Sequence, residues 1–207
     1  MASLTTVLLF ALATFILTVS PGPGVLYVSA RALSQGRRAG FASMFGIESG
    51  EVIWLAAAAT GLAALLATSA GALTFLRYGG AAYLIYLGVR RWREHRSFIP
   101  PQRSSLPRIF AQGLLTQLLN PKVAVFFIAF LPHFIDPTQS IAPQVMVLGA
   151  VYIAVALLVD TTYVFAAAAI SRRFMESKVA QRRAGQVAAG TYIALGVAAA
   201  VTGDRPA

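Results

Sequence analysis

Charged side chains inside apolar sequence are the residues best able to do chemistry in this chain. Lys122 follows Asn120-Pro121 about 12 residues into an apolar segment, which at helical rise is about 18 Å, near the middle of a ~30 Å hydrocarbon core. An ammonium group at that depth is costly and usually has a function and a partner. The alternative is that its flexible stem carries the charge to the interface. We expect Lys122 to be buried.

Three carboxylic acids are the possible partners. Glu48 and Glu51 are three residues apart and so share one face of a helix. Asp160 lies near the centre of a later apolar segment. A carboxylic acid away from water favours its neutral form and can exchange a proton near neutral pH. We therefore expect at least one of the three to take part in proton-coupled transport; the alternative is static pairing with Lys122 or with loop arginines.

Two proline motifs interrupt apolar segments 100 residues apart, at Ser20-Pro21-Gly22-Pro23-Gly24 and at Asn120-Pro121. Proline removes a backbone N–H and clashes with the preceding turn, so each motif should break a helix. Carbonyls freed at membrane depth must face protein or a wet cavity. The alternative is a structural kink, but freed carbonyls favour ammonium groups and exposed helix N-termini favour carboxylates, which suits a small zwitterion. The predicted polar site contains Ser20, Pro21, Gly22, Pro23, Asn120 and Pro121.

Composition places the chain in a membrane. Of its 207 residues 57% are hydrophobic and only 12% are charged, with a mean hydropathy of +0.71, whereas soluble domains average about 25% charged residues. The absence of cysteine excludes disulfides and thiol chemistry. The net charge of +10 lies between apolar segments, so we predict membrane orientation and no nucleic-acid partner. No P-loop, zinc spacing or nucleophile elbow is present, which predicts neither an enzyme nor a bound cofactor or metal.

Six apolar segments predict an all-α integral membrane protein with six transmembrane helices, each supplying the ~20 residues that a crossing needs. The start lacks a basic n-region, so the first segment is expected to be a retained span. A single long helix across segments two and three is the alternative to a break near residue 69. The segments are 4–30, 40–68, 71–89, 109–134, 141–170 and 185–202.

Basic residues predict the orientation, because fourteen of the 17 Lys and Arg residues fall in the loops after segments one, three and five. The positive-inside rule places those loops in the cytoplasm and both termini outside. The three clusters are Arg31, Arg37 and Arg38; Arg90, Arg91, Arg93, Arg96, Arg103 and Arg108; and Arg172, Arg173, Lys178, Arg182 and Arg183.

The two halves predict an inverted repeat. A single domain, 1–207, divides into repeat one at about 1–97 and repeat two at about 106–207, with three spans each. Three is odd, so equivalent helices run in opposite directions, and an offset of 100 residues places one proline motif on the other. Secondary transporters often have this plan, with broken helices meeting near the midplane.

The motifs together resemble the LysE/RhtB family of bacterial amino-acid exporters along nearly the whole chain. The resemblance implies an inner-membrane, homo-oligomeric efflux carrier driven by proton antiport. Glu51 and Asp160 match acids of the family, whereas Glu48 departs from its small or apolar residue and would favour a cationic amino acid or alter the coupling. The matching pieces are SPGPG, GRRAGF, Gly46-x-x-x-Gly50-Glu51, Gly80 to Gly88, and Asn120-Pro121-Lys122 followed by Phe126-Phe127.

We therefore predict a secondary exporter of amino acids or close derivatives across the inner membrane, with Lys122, Glu48, Glu51 and Asp160 as substrate-binding or coupling groups. An inorganic-cation exporter of the same fold is one alternative. A membrane scaffold subunit that transports nothing is another, and it predicts that neutralising the buried charges leaves function intact.

The predicted orientation can be tested directly because the chain has no cysteine of its own. Thr138→Cys, in the fourth loop, should react with a membrane-impermeant maleimide added to intact cells. Arg103→Cys, in the third loop, should react only after permeabilisation. Labelling in the reverse order would contradict the orientation.

Overall fold

A computed structural model describes residues 3–68, 70–93, 102–169 and 177–202. These residues form eight α-helices and no strand. A π-helical turn, Phe126–Phe130, and a 3-10 turn, Leu131–Phe134, continue the sixth helix. The helices are α1 (Leu4–Val19), α2 (Pro23–Gln35), α3 (Arg37–Thr68), α4 (Ala70–Arg93), α5 (Leu106–Leu118), α6 (Pro121–Val125), α7 (Ile141–Ala169) and α8 (Lys178–Thr202).

The first break has the geometry that its prolines dictate. α1 ends at Val19, α2 begins at Pro23, and the two axes bend by 54°. Proline suits the first position of a helix because its missing N–H would have no partner there. α2 then runs beyond the predicted segment to Gln35, and Gly36 separates it from α3 with a φ of 82°. Such a left-handed backbone favours glycine.

The second break follows the same rule with a different cap. α5 ends at Leu118, α6 begins at Pro121, and the two axes bend by 46°. The Asn120 side chain accepts a hydrogen bond from the Lys122 backbone N–H at 3.2 Å, which is an N-cap. The π-helical turn that follows is a form common near functional sites.

The described residues contain one helix, α7, that is alone long and apolar enough to cross a membrane. Each of the two bent pairs also passes the same test when taken as one span, which gives three candidate spans by length and composition. α3 ends at Thr68 and α4 begins at Ala70, and residue 69, where a break was expected, lies outside the described residues. The count of six spans remains a prediction.

The sequence predicted that Arg31 lies in a loop, but the structure places it in a helix. It belongs to α2 and is only 4% exposed. Its guanidinium donates to the Gln102 carbonyl and the Gln112 side chain, both at 2.7 Å, and to Gln35 at 2.8 Å. These neutral acceptors, two of them in the chain around α5, replace water around the charge. Most other described basic residues that the sequence placed in loops also lie inside helices: Arg37 and Arg38 in α3, Arg90, Arg91 and Arg93 in α4, Arg108 in α5, and Lys178, Arg182 and Arg183 in α8.

Glycines bring α3 and α5 into backbone contact. A Cβ atom on Gly46 would run into the Phe110 carbonyl, and one on Gly113 would lie 2.6 Å from the Ser43 carbonyl oxygen. Gly50 faces Gln117 in the same interface. The Gly46-x-x-x-Gly50 pattern therefore packs helices, as it does in other membrane proteins.

α4 and α8 pack through a second, internally matched pair of glycines. A Cβ atom on Gly88 would collide with the turn 189–193, and one on Gly196 would collide with the turn 81–85. Residue 88 of α4 thus faces residues 189–193 of α8, and residue 196 of α8 faces residues 81–85 of α4, so the two helices are antiparallel. Both glycines and both turns are related by the same offset of 108 residues.

The loop before α7 is closed by its own polar groups. Thr138 donates to the Asp136 carboxylate from its backbone N–H at 2.9 Å and from its hydroxyl at 2.6 Å, which lowers the pKa of Asp136 below its usual value. These bonds favour the charged form, so they stabilise the fold above the ordinary pKa and are lost as the pH falls through the lowered one. Buried Gln144 accepts from the Asp136 N–H at 2.9 Å.

Gly46→Ala should lower the unfolding free energy by about 1–3 kcal/mol, because the new methyl group meets backbone that cannot rotate away. Gly79→Ala is the matched control, since nothing lies within 4 Å of a Cβ atom there. Melting temperatures of the purified proteins in detergent measure both effects. Equal melting temperatures for the two variants would contradict the packing role of Gly46.

Candidate functional site

A small polar cavity lies where the two helix breaks approach α3 and α7. Its volume is about 20 Å³, enough for about one water molecule. Its walls also include the apolar residues Val25, Ile47, Val123 and Ala156. The polar lining residues are Thr18, Glu51, Gln117, Asn120, Lys122, Tyr152 and Asp160.

Lys122 joins the two breaks. Its side chain is 5% exposed, and Nζ donates to the carbonyl oxygens of Leu17 at 2.9 Å and Ser20 at 3.0 Å. Both carbonyls stand at the end of α1. The Leu17 carbonyl also accepts from the Ser20 backbone N–H at 3.2 Å, but Pro21, one turn ahead of it, has no N–H to donate. The cation of the second break thus satisfies the carbonyls of the first, and its expected partners, the acids, act on it from further away.

The backbone carbonyl of Val19, the last residue of α1, also has a hydrogen-bond donor from a distant part of the chain. The Tyr163 hydroxyl of α7 donates to the Val19 carbonyl at 2.7 Å. The broken end of α1 is therefore held by side chains from α6 and α7. This arrangement meets the requirement that backbone polar groups at membrane depth have protein partners.

Glu51 is held by one oxygen and open at the other. Its Oε1 accepts from the Gln117 side-chain amide at 2.5 Å and from the Tyr152 hydroxyl at 3.1 Å. Its Oε2 is buried and receives no hydrogen bond from an N–H or hydroxyl group, and the Glu48 carboxyl group adjoins this carboxyl group. A carboxylate oxygen without such a donor can accept a proton or an ammonium group.

Glu48 and Asp160 complete a cluster of buried acids around this carboxylate. Glu48 is 6% exposed, its two oxygens accept no hydrogen bond from an N–H or hydroxyl group, and its carboxyl group adjoins that of Glu51. Asp160, also 6% exposed, is close enough for its charge to act on both glutamates and on Lys122. Two of these acids, Glu51 and Asp160, act on the charge of Lys122.

The ten predicted site residues divide into several groups. The cavity wall contains Glu51, Asn120, Lys122 and Asp160. Ser20, Gly22 and Glu48 are buried beside it, and the Ser20 hydroxyl has no partner. Pro21 and Pro121 are half-buried, and Pro23 is exposed. The prolines therefore shape the backbone without lining the cavity.

Three polar residues that line the cavity were not among the predicted ones, namely Thr18, Gln117 and Tyr152. Gln117 lies three residues before Asn120 within an apolar segment, where a polar side chain usually bonds across helices. Tyr152 lies in α7, which is long and apolar enough to span a membrane, and a buried tyrosine hydroxyl usually has a partner. Aromatic packing positions it, with the Phe127 ring 4.7 Å away between centroids.

Within the described parts of the chain no three His, Cys, Asp or Glu side chains are arranged to hold a metal ion. The neighbours of the buried acids are a lysine and two side-chain amides, those of Lys122, Gln117 and Asn120. The donors and acceptors of this site suit an organic ion with hydrogen-bonding groups.

The sequence matches the family described as LysE type translocator over residues 15–203. A relative from Salmonella typhi, named homoserine/homoserine lactone efflux protein, is 34% identical over 157 residues, which cover 74% of this chain and 76% of the relative. A leucine efflux protein from Salmonella choleraesuis is 32% identical over 134 residues, 61% of each chain.

An uncharacterized membrane protein from Vibrio cholerae is 31% identical over 178 residues, which cover 84% of this chain and 87% of the relative. No solved structure gives a significant match.

Lys122→Met should lower the unfolding free energy by about 3–5 kcal/mol, because it leaves the Ser20 carbonyl without its donor and the acids without their cation. Lys122→Met combined with Asp160→Asn should recover part of that loss, since one negative charge leaves with the positive one. Thermal unfolding in detergent measures both variants. Additive losses in the double variant would contradict the electrostatic link.

Proposed function

Because the chain belongs to the LysE type translocator family, we propose that it is a secondary transporter that exports amino acids or close derivatives across the bacterial inner membrane by proton antiport. Membership makes it a membrane transport protein and not an enzyme. The substrate class comes from its relatives, two of which are named as efflux proteins for homoserine or its lactone and for leucine.

The observation that carries the proposal is the cavity enclosed where the two broken helices meet. It contains an ammonium group, two carboxyl groups and two side-chain amides, all surrounded by apolar packing. Charged groups inside a membrane are costly and usually mark a substrate or proton pathway. A structural core would not need them.

The open oxygen of Glu51 supplies the binding chemistry. Amino acids and their lactones share an ammonium group, and Oε2 is an unpaired acceptor for it. Lys122 already donates to two carbonyls, so two of its three N–H donors are engaged and less remains for a substrate carboxylate. The ammonium end of the substrate is therefore its anchor, and Val25, Val123 and Ala156 offer apolar contact to the remainder.

Proton exchange follows from the crowding of the acids. Adjoining carboxyl groups such as those of Glu48 and Glu51 repel each other when both are charged, and a shared proton relieves that repulsion. An arriving ammonium group relieves it in the same way. Substrate and proton would then compete for one site, which is the requirement for antiport.

The six-span inverted repeat is part of the proposal. Two bent helix pairs with breaks 100 residues apart support it, as does the antiparallel pairing of α4 and α8 through glycines offset by 108 residues. In such repeats the cargo binds between the two halves, and rocking of one half against the other opens each side in turn. The cavity of about 20 Å³ is smaller than an amino acid, so its lining would have to move apart to admit the substrate.

Orientation and assembly complete the proposal. Basic residues at the start of α3 and in the chain before α5 face the cytoplasm, and both termini lie outside. We propose a homo-oligomer in the membrane, with protons and a small amino compound as its ligands.

Counterflow in proteoliposomes tests this function. The purified protein should exchange labelled homoserine or leucine, and a pH gradient should drive net movement. Glu51→Gln should reduce the initial rate about ten- to hundredfold, because it removes a charge-assisted bond to the ammonium group. Asp136→Asn is the matched control, since that acid lies in the loop before α7 outside the cavity, and its rate should stay near wild type.

The alternatives make different predictions in the same assay. If none of the common amino acids is carried while a monovalent or divalent cation is, the inorganic-cation exporter replaces our proposal. If Glu51→Gln, Asp160→Asn and Lys122→Met all leave cellular function intact, the protein is a scaffold subunit. Amino-acid exchange without response to a pH gradient would remove only the proton coupling.

A further inference from the structure

A directed series of hydrogen bonds runs from the second helix break to Glu51. The Lys122 backbone N–H donates to Asn120 Oδ1 at 3.2 Å, Asn120 Nδ2 donates to Gln117 Oε1 at 3.1 Å, and Gln117 Nε2 donates to Glu51 Oε1 at 2.5 Å. A backbone N–H can only donate, so each amide in turn is fixed in orientation. The series must therefore end on an acceptor.

The acceptor at the end is one particular oxygen of Glu51. Oε1 receives Gln117 and also the Tyr152 hydroxyl at 3.1 Å, whereas buried Oε2 receives nothing. An oxygen that already accepts two hydrogen bonds has little capacity left to bind a further proton or ammonium group. The two oxygens of this carboxyl group are therefore chemically different.

Glycines on two other helices leave room for the Gln117 side chain. A Cβ atom on Gly50 of α3 would lie 2.8 Å from its Cβ, and one on Gly24 of α2 would lie 3.1 Å from its Oε1. Gln117 is 2% exposed. The last glycine of the first proline motif thus leaves room for the amide that bonds to the second break.

We propose that Gln117 is a positioning residue, which fixes Glu51 Oε1 as a permanent acceptor and so leaves Oε2, beside the Glu48 carboxyl group, as the oxygen of Glu51 where the proton and the substrate's ammonium group exchange. This inference rests on the proposed function and adds the atom at which coupling occurs. It also links the charge of Glu51 to the N-cap of α6, because the same amide bonds to both.

Several charged and titratable groups face Glu51 from the surrounding elements. Glu48 lies on the same helix, Asp160 and Tyr152 project from α7, and Lys122 projects from α6. Gln117 adds a hydrogen-bond donor to this set without adding a charge. Its replacement by methionine therefore changes the hydrogen bonding of Glu51 and leaves the net charge of the site unchanged.

Infrared titration of the reconstituted protein tests the inference, with the protonated carboxyl band of Glu51 identified by its loss in Glu51→Gln. In Gln117→Met the midpoint should move to higher pH by about one unit or more, because the anionic form has lost a donor. Gln117→Glu should shift it in the same direction, although that variant keeps an acceptor for Asn120.

Gln144→Met is the control, because Gln144 is also a buried glutamine but bonds in the loop before α7. Its effect should be confined to thermal stability. Tyr152→Phe removes the other donor to Oε1 and should also raise the midpoint, which decides the question if neither Gln117 variant folds.

An unchanged midpoint in folded Gln117 variants, or in Tyr152→Phe, would overturn the inference. A shift equal to that in Gln144→Met would overturn it as well, since any buried glutamine would then do the same. The infrared readout does not need transport, so a protein that carries no amino acid could still show the shift. If the wild-type protein exchanges no amino acid, the proposed function is refuted instead.

Discussion

The bond from one ammonium group to two backbone carbonyls is the contact on which the site depends. Lys122 closes the end of α1 at Leu17 and Ser20, and its own backbone begins α6 beneath the Asn120 cap. Neither break would be tolerable alone in an apolar medium, because each leaves backbone groups that water cannot reach. The two breaks are therefore one structural unit formed from distant parts of the chain.

The two breaks contribute different chemistry to that unit. The first offers backbone carbonyls and a glycine-lined space, and its N-cap, Gly22, has no side chain to bond. The second offers the functional groups of Asn120 and Lys122. A lysine with its hydrogen bonds made to neutral carbonyls keeps its charge near Asp160 and Glu51 without forming a closed ion pair. The acids consequently remain available to a mobile cation.

The helix breaks could be predicted from the sequence because proline acts on its own neighbours, as at Pro21 and Pro121. The contacts between distant parts of the chain could not be predicted in this way. The burial of Lys122 followed from its depth, but its carbonyl partners could not, since every residue carries a carbonyl. Gln117 gave a weak signal as one neutral amide in an apolar run. Arg31 was assigned to a loop because its acceptors lie about 70 to 80 residues away.

The glycine contact between α3 and α5 makes one side of the cavity rigid. Gly46 and Gly113 bring backbone against backbone, and Gly50 meets the Cβ atom of Gln117, so this side of the cavity cannot widen without separating the two helices. On the opposite side the cavity is bounded by branched or small side chains, Val25 and Val123 among them, which change volume with a rotamer. Under the proposed function, the cargo would therefore pass on the side formed by α2, α6 and α7, with the α3–α5 pair as the rigid side of its path.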